Sequence, residues 1–171
     1  MKRPIIVFFC ISLFLSCSNK KTSYENEIKL FQYELNTQYS DIEESPLTEE
    51  DLKTFKALDF FPIDKNYKVE AEFELTQDTP IFEMPTTTER LPLYRKYGIA
   101  KFTLNGKSLE LSLYQSQNLM TSLEFENYLF LPFNDTSNGK TTYGGGRFID
   151  LEIPEKGSKT IIIDFNKAYN P

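Results

Sequence analysis

Five side chains near the C-terminal end of the chain have types and spacing that suit the binding of a ligand: Tyr143, Arg147, Asp150, Asp164 and Asn166. An arginine presents a rigid fork of N–H donors that can hold a carboxylate or a phosphate through two parallel hydrogen bonds. Three consecutive glycines come directly before Arg147, and their backbone N–H groups can add to such an anion site. We therefore predict that these five residues bind a small polar or anionic ligand.

Each of these residues also has a purely structural interpretation. Arg147 can form an ion pair with Asp150 or Asp164, since β-rich domains commonly pair an inward-facing arginine. Tyr143 can pack in the core or at its rim. The glycines lack a Cβ atom, so they can serve a positive φ or the close approach of another group. Under this interpretation the whole region is a folding motif.

Asp150 and Asp164 suggest a second function. They fall on two predicted strands that we expect to be neighbours. If the carboxylates are close together and dry, the pKa of one of them rises and the pair can carry out acid–base chemistry. A carboxylate-dependent hydrolase using Asp150 and Asp164 is therefore the alternative hypothesis, and the sequence leaves open whether the chain is an enzyme. In a structural interpretation, Asp164 and Asn166 end a strand and hydrogen-bond with the turn that follows.

Residue types exclude several kinds of catalytic and metal site. The chain has no histidine, which excludes Ser-His-Asp and Cys-His catalysis. Its two cysteines, Cys10 and Cys17, both lie in the N-terminal leader region, so the usual zinc and copper ligands are missing from the rest of the chain. Residues 134–139 offer oxygen atoms to calcium, but Gly145 stands where a loop-closing acid is needed, and an Asx turn is favoured. We predict no metal and no cofactor.

A distinctive pattern lies between residues 132 and 171. It consists of Pro132, Phe133, Asp135, Thr136, Gly139, Thr142, Tyr143, Gly144, Gly145, Gly146, Arg147, Asp150, Leu151, Asp164, Phe165, Asn166, Ala168, Tyr169, Asn170 and Pro171. The pattern resembles the C-terminal signature of an uncharacterised bacterial family, domain of unknown function 1684, and weaker similarity extends back to about Tyr24. Two residues precede Gly139 where the family has one, and the family pattern continues beyond the final Asn-Pro. The resemblance implies a chain truncated at its C-terminus and no particular activity.

Residues 1–16 have the features of a lipoprotein signal peptide. Lys2 and Arg3 form a positive start, and residues 5–15 form an apolar core too short for a membrane-spanning helix of roughly 20 residues. Residues 14–17 resemble a lipobox, so we predict that Cys17 is lipidated; an ordinary secretory signal is the alternative. Residues 17–23 then form the lipidated cysteine and a tether. The protein is expected in the bacterial cell envelope, anchored to a membrane and facing the periplasm or the cell exterior.

Composition favours one β-rich domain over residues 24–171. The chain contains 10 Tyr and 15 Phe without Trp, and this aromatic content is typical of β structure. Its formal net charge is −6. An acidic surface repels a phosphate backbone, so we predict that nucleic acid is not a partner.

Two helices are predicted at the start of this domain. Residues 24–39 place apolar side chains at helical spacing, and Ser23 can cap the first helix, with Asn26 at its third position. Thr48 can cap a second, shorter helix that ends at residues 60–62. The charged face of the first helix is expected to be simply solvated.

From residue 67 the apolar period changes to two, which predicts antiparallel strands. Val69, Ala71, Phe73 and Leu75 should face inward from the first of them. Asn105-Gly106, flanked by residues 97–104 and 108–114, predicts a hairpin with a type I′ turn. Further strands are expected at residues 80–84, 128–133, 147–153 and 160–165. The predicted fold is mainly β (α+β): an N-terminal helical segment followed by six to eight strands in a bent sheet, a sandwich or a small barrel.

Overall fold

The computed structural model describes residues 23–86 and 90–170. The predicted signal peptide, the lipidation of Cys17 and almost all of the tether lie outside the described residues. None of the helices within the described ranges is long and apolar enough to cross a membrane.

Two helices open the described chain, and both begin at the caps that the sequence predicts. Helix α1 (Tyr24–Ser40) starts after Ser23, whose side chain accepts a hydrogen bond from the Asn26 N–H. Helix α2 (Glu49–Thr54) starts after Thr48, whose side chain accepts one from the Asp51 N–H. These bonds satisfy N–H groups that have no partner within the helix. The prediction that α2 continues to residues 60–62 is wrong, because Phe55 already has an extended backbone and caps the helix.

Within residues 23–86 and 90–170, seven strands form one antiparallel sheet: β1 (Lys68–Leu75), β2 (Ile81–Glu83), β3 (Leu93–Leu104), β4 (Lys107–Ser116), β5 (Tyr128–Phe133), β6 (Arg147–Glu152) and β7 (Thr160–Asp164). The order across the sheet is β6-β5-β4-β3-β1-β7, and β2 pairs with the first part of β3. The β3–β4 hairpin turns at Asn105 and Gly106, both with positive φ, as its sequence predicts. The mainly β class is confirmed, and the sheet curls into a half-barrel.

The two ends of the sheet come together through the C-terminal segment. After β7 the chain forms a 3₁₀ helix (Phe165–Lys167), and Tyr169 then pairs with Phe148 of β6 through two backbone hydrogen bonds of 3.0 Å. The expectation that β6 and β7 are neighbours in the sheet is wrong, since β6 pairs with β5 and β7 pairs with β1. Closure through Tyr169 nevertheless brings both end strands to the same side of the molecule.

The core lies on the concave face of the half-barrel. It consists of Ala71, Ala100, Phe102, Leu113, Leu129, Leu131, Phe133, Ile149, Ile161, Ile163 and Ala168. Alternation along each strand selects these positions, because successive side chains point to opposite faces. In β1 the alternation places Ala71 in the core as predicted, but Leu75 is 54% exposed because it ends the strand beyond the core.

Candidate functional site

The loop of residues 134–146 between β5 and β6 carries the first half of the site. Asp135 accepts hydrogen bonds from the Ser137 N–H at 2.8 Å and from the Ser137 hydroxyl, which forms the Asx turn favoured from the sequence. Asn138 donates to the Tyr143 carbonyl at 2.8 Å and so ties the two sides of the loop together. Within the described residues, no three His, Cys, Asp or Glu side chains are placed to hold a metal ion.

Of the three consecutive glycines, Gly146 has the clearest structural requirement. Its φ is +122°, and a Cβ atom there would lie 3.0 Å from the Phe133 carbonyl oxygen and 3.2 Å from Asn134 Oδ1. A Cβ atom on Gly144 would meet Gly139 Cα at an ordinary contact distance of 3.9 Å, and the nearest atoms to a Cβ on Gly145 belong to the Tyr143 ring. Gly146 therefore lets the chain turn directly into β6 and place Arg147 beside Phe133.

Arg147 is the first residue of β6 and points to the concave face. Its guanidinium carbon lies 4.9 Å from the centre of the Phe61 ring and 5.0 Å from that of Phe133, so two aromatic rings hold the cation. Its Nη2 donates to Asp135 Oδ2 in an ion pair. Desolvation raises the pKa of Asp135, but hydrogen bonds from Ser137 and Arg147 outweigh it and hold that pKa below its ordinary value.

Most of the N–H donors of Arg147 have no acceptor in the part of the protein that the structure describes. A guanidinium carries five N–H groups. The bond to Asp135 is the one hydrogen bond of this side chain among the described residues, and Nε is buried without a partner. A buried N–H donor that lacks an acceptor costs about 1–3 kcal/mol. A ligand that carries a hydrogen-bond acceptor could therefore bond with N–H groups of Arg147 that are not in use.

The expected ion pair of Arg147 with Asp150 or Asp164 is wrong. Asp150 is three residues further along β6, so it lies on the opposite face of the strand. Asp164 ends β7, at the other end of the sheet order. The partner is Asp135, which the loop folds back onto the start of β6.

Arg147 opens onto a cleft of about 480 Å³, here called the Arg147 cleft. Its walls combine aromatic rings with charged and polar side chains. They are Phe61, Pro62, Asp64, Tyr67, Asp135, Thr136, Ser137, Arg147, Phe165, Asn166 and Ala168. This volume falls within the range of about 300–1,000 Å³ that is typical of pockets for small molecules.

Asn166 links the Arg147 cleft to β7 and to helix α1. Its side-chain oxygen accepts from the Asp64 N–H at 2.8 Å, and its amide donates to the Asp64 carbonyl at 2.9 Å. The same amide donates to Tyr24 Oη at 2.8 Å and to Asp164 Oδ1 at 2.9 Å. Asn166 thus positions the Asp64 wall of the cleft, and its own hydrogen-bonding groups are in use.

Asp164 belongs to this network and is 5% exposed. The Tyr24 hydroxyl lies 2.9 and 3.0 Å from its two oxygens, and the Asn166 N–H donates to it at 3.1 Å. Lys68 Nζ lies 3.8 Å away and is the nearest cation. The interpretation of Asp164 as a strand end that caps the next turn is confirmed, since it caps the 3₁₀ helix.

Asp150 has a separate environment on the convex face. The Tyr128 hydroxyl donates to it at 2.7 Å, and the Tyr169 hydroxyl lies 3.0 and 3.1 Å from its two oxygens. Asp150 is exposed at the wall of a cleft, but the protein around its carboxylate removes part of the water that would otherwise hydrate it. This desolvation raises the pKa of Asp150, and the bonds from the two tyrosines oppose the rise.

Asp150 and Asp164 line one further cleft, of about 710 Å³, at the open side between β6 and β7. Such a shared cleft is what the hydrolase hypothesis requires. Asp164, however, is 5% exposed, and its oxygens already accept hydrogen bonds from Tyr24 and Asn166. These contacts of Asp164 weaken the hydrolase hypothesis, which needs a carboxylate free to act on a substrate.

Tyr143 does not join Arg147. It is 37% exposed and lines a third cleft, on the convex face, with Phe130, Phe148 and other aromatic residues. The five predicted residues are thus divided among three clefts: Arg147 and Asn166 line the Arg147 cleft, Asp150 and Asp164 line the cleft of about 710 Å³, and Tyr143 lines the third.

Sequence reasoning missed three contributors to the Arg147 cleft. Asp135 forms part of the family pattern, and the loop that contains it leads to Arg147. This was the available signal that Asp135 could lie beside Arg147. Phe61 and Asp64 come from the irregular segment between α2 and β1. Nothing local in that segment indicates that it packs across the opening of the half-barrel.

Comparisons with known proteins identify relatives. A family model described as "Protein of unknown function (DUF1684)" matches residues 53–171. The solution NMR structure of an uncharacterized protein from Haloarcula marismortui is similar to this chain, with a TM-score of 0.67 and 28% sequence identity. The similarity covers 86% of this chain and 78% of that one. The comparison with curated proteins gave no match.

Proposed function

We propose that this chain, which belongs to the DUF1684 family of proteins of unknown function, is a lipid-anchored protein of the bacterial cell envelope that binds a small polar ligand without catalysis. The ligand binds in the Arg147 cleft and places an anionic group on Arg147. Cys17 carries the anchor, and residues 18–23 tether the domain to the membrane surface. Since several acyl chains anchor a protein stably, the domain stays close to that surface.

One observation carries the ligand-binding proposal: a guanidinium with unused donors faces a cleft. Arg147 contacts the rings of Phe61 and Phe133, and among the described residues its side chain makes a single hydrogen bond, to Asp135. A purely structural arginine of this burial is expected to have its N–H groups satisfied, because buried polar groups nearly always are. Arg147 Nε is instead unpaired. A rigid, partly desolvated cation of this kind binds an anion with little loss of side-chain entropy.

The first test is ligand-dependent thermal stability of the full chain in a non-ionic detergent. The panel contains sugars, organic acids, phosphates and Ca²⁺. A ligand at about 100 times its Kd stabilises the folded state by about 2.7 kcal/mol. For a domain of this size that corresponds to a rise in Tm of about 5–10 °C.

Arg147→Lys tests the location. It keeps the charge and removes the fork, so charge-assisted hydrogen bonds of about 1.5–3 kcal/mol are lost and affinity should fall by about 10–100-fold. Arg95→Lys is the matched control, since Arg95 also contacts an aromatic ring, Tyr97, but lies outside the Arg147 cleft. A panel without any shift refutes the ligand-binding proposal. Loss of the cooperative transition in Arg147→Lys alone assigns this arginine to folding instead.

The anchor is tested separately. Cells that produce the full chain should incorporate labelled palmitate into it, and Cys17→Ser should abolish the label. Cys10→Ser is the matched control and should retain it, because Cys10 precedes the predicted cleavage site. Labelling that persists in Cys17→Ser refutes the predicted anchor without affecting the binding proposal.

A further inference from the structure

The charges that line the Arg147 cleft have mixed signs. Among the described residues that line it, Arg147 is the single cation, while Asp64 and Asp135 are both acidic. Hydrogen bonds from Ser137 and Arg147 hold the pKa of Asp135 low, so this carboxylate stays ionised near neutral pH. The lining therefore carries a net charge of −1. A simple anion on Arg147 would meet two carboxylates in the same cleft, and like charges repel.

We infer that the ligand is a zwitterion, with its anionic group on Arg147 and an ammonium group on the Asp64 side of the cleft. This inference rests on the proposed function, and it names the chemical class of the ligand. The anionic group is a carboxylate or a phosphate, because both match the arginine fork. The ammonium group offsets the carboxylates, which oppose a ligand that carries negative charge alone.

The Asp64 side has the features that an ammonium group requires. Asp64 Oδ1 accepts from the Asn66 N–H at 2.9 Å, and its other oxygen makes no hydrogen bond within the described residues. The Asp64 backbone is held on both its N–H and its carbonyl by Asn166, so the wall is rigid. The rings of Phe61 and Tyr67 line the same cleft and are partly exposed. Aromatic faces attract ammonium groups, and quaternary ammonium ligands are commonly held by such rings together with an acid.

The Arg147 side supplies the complementary group. Its Nε is buried beyond the reach of a ligand, but Nη1 is not buried and makes no hydrogen bond within the described residues, and the guanidinium carbon lies 4.9 Å from the centre of the Phe61 ring. Phe61 therefore borders the cation and also lines the cleft shared with Asp64. A zwitterion lying across this ring bonds with the unused Nη donors of Arg147 and with the free oxygen of Asp64 together.

The test is a titration of the full chain in non-ionic detergent with three probes: inorganic phosphate, ethanolamine and O-phosphoethanolamine. The zwitterion should bind more tightly than phosphate by about fivefold, the fold-change of one exposed ion pair. Asp64→Asn keeps the oxygen that accepts from Asn66 and removes the charge. It should therefore abolish the advantage of the zwitterion without weakening phosphate. Asp59→Asn, an exposed acid outside the cleft, is the matched control and should change neither affinity.

The outcomes separate the inference from the proposed function. Equal or tighter binding of phosphate, or an Asp64→Asn variant that retains the advantage of the zwitterion, overturns the inference and leaves the binding proposal standing. Absence of binding by every soluble probe, by the wider panel and by the doped micelles described next overturns both. A further arm identifies the source of the zwitterion: micelles doped with phosphatidylethanolamine present it as a lipid headgroup. A shift with doped micelles and none with soluble O-phosphoethanolamine assigns a lipid; the reverse assigns a soluble compound.

Discussion

Replacement of Gly146 by alanine tests how the loop delivers Arg147 to its cleft. The φ of +122° at this residue is accessible to glycine and strained for other residues, at a cost of about 1–3 kcal/mol. The added Cβ atom would also lie 3.0 Å from the Phe133 carbonyl oxygen. That oxygen cannot move freely, since Phe133 ends β5 and pairs with Arg147. Overpacking of this kind adds about 1–3 kcal/mol.

The two costs are partly offset because alanine restricts the unfolded chain, which stabilises by about 0.4–1 kcal/mol. We expect Gly146→Ala to lower the free energy of unfolding by about 2–4 kcal/mol. Gly144→Ala is the matched control. It lies in the same glycine run without a positive φ, and its Cβ atom would meet its nearest neighbour at 3.9 Å. This variant should be neutral or slightly stabilising, as glycine-to-alanine changes are at unstrained positions.

Both variants are compared with the parent chain by urea denaturation and by thermal melting. At about 2–4 °C per kcal/mol for a domain of this size, Gly146→Ala should melt about 4–16 °C below the parent. The slope of the urea transition should stay constant, since the surface exposed on unfolding is unchanged. Equal stability of Gly146→Ala and Gly144→Ala would refute the proposed requirement for glycine at position 146, because the two positions would then not differ in backbone strain or in the room available for a Cβ atom.

Two further predictions concern the tyrosines. Tyr24→Phe removes the hydroxyl that bonds with Asp164, and it should lower the free energy of unfolding by about 1.5–3 kcal/mol. The control, Tyr33→Phe on the exposed face of α1, should change it by less than about 0.5 kcal/mol. Equal effects of the two variants in urea denaturation would refute the role of the Asp164 hydrogen-bond network. Burial raises the pKa of Tyr39 to about 12 and also raises the pKa values of Tyr24, Tyr94, Tyr128 and Tyr169. The unfolded chain loses these phenolic protons near about pH 10 while the folded chain retains them, so stability should fall as pH rises above about 10. Phenolate absorbance should then rise in two steps, the second coinciding with loss of the circular dichroism signal, and a single step before unfolding would contradict this.

Local signals in the sequence determined much of the secondary structure. Ser23 and Thr48 start their helices as expected, because a cap needs only a side-chain oxygen within a few residues of the N–H groups that it serves. Asn105-Gly106 turns its hairpin for an equally local reason, since both residues tolerate positive φ. The mainly β class follows from such signals and from the alternation of apolar residues along the strands.

The end of helix α2 was predicted less well. Its sequence runs on in apolar residues to Phe61, and these suggest a longer helix. Phe55 leaves the helix instead, and the residues after it cross the opening of the half-barrel, where Phe61 meets Arg147. The contact that decides this path lies far away in the sequence, so no local pattern predicts it.

The sequence by itself identified Arg147, Asp150, Asp164 and Asn166 as residues able to do chemistry, since residue type sets charge and hydrogen-bonding capacity. Only the tertiary structure decided how they are grouped. Strand alternation sends Arg147 and Asp150 to opposite faces of β6, and the sheet order separates β6 from β7. The closing segment then brings Asn166 back to the Arg147 cleft. Composition and spacing describe single elements, whereas the meeting of loop, strand and closing segment in one cleft depends on how a curled sheet joins its ends.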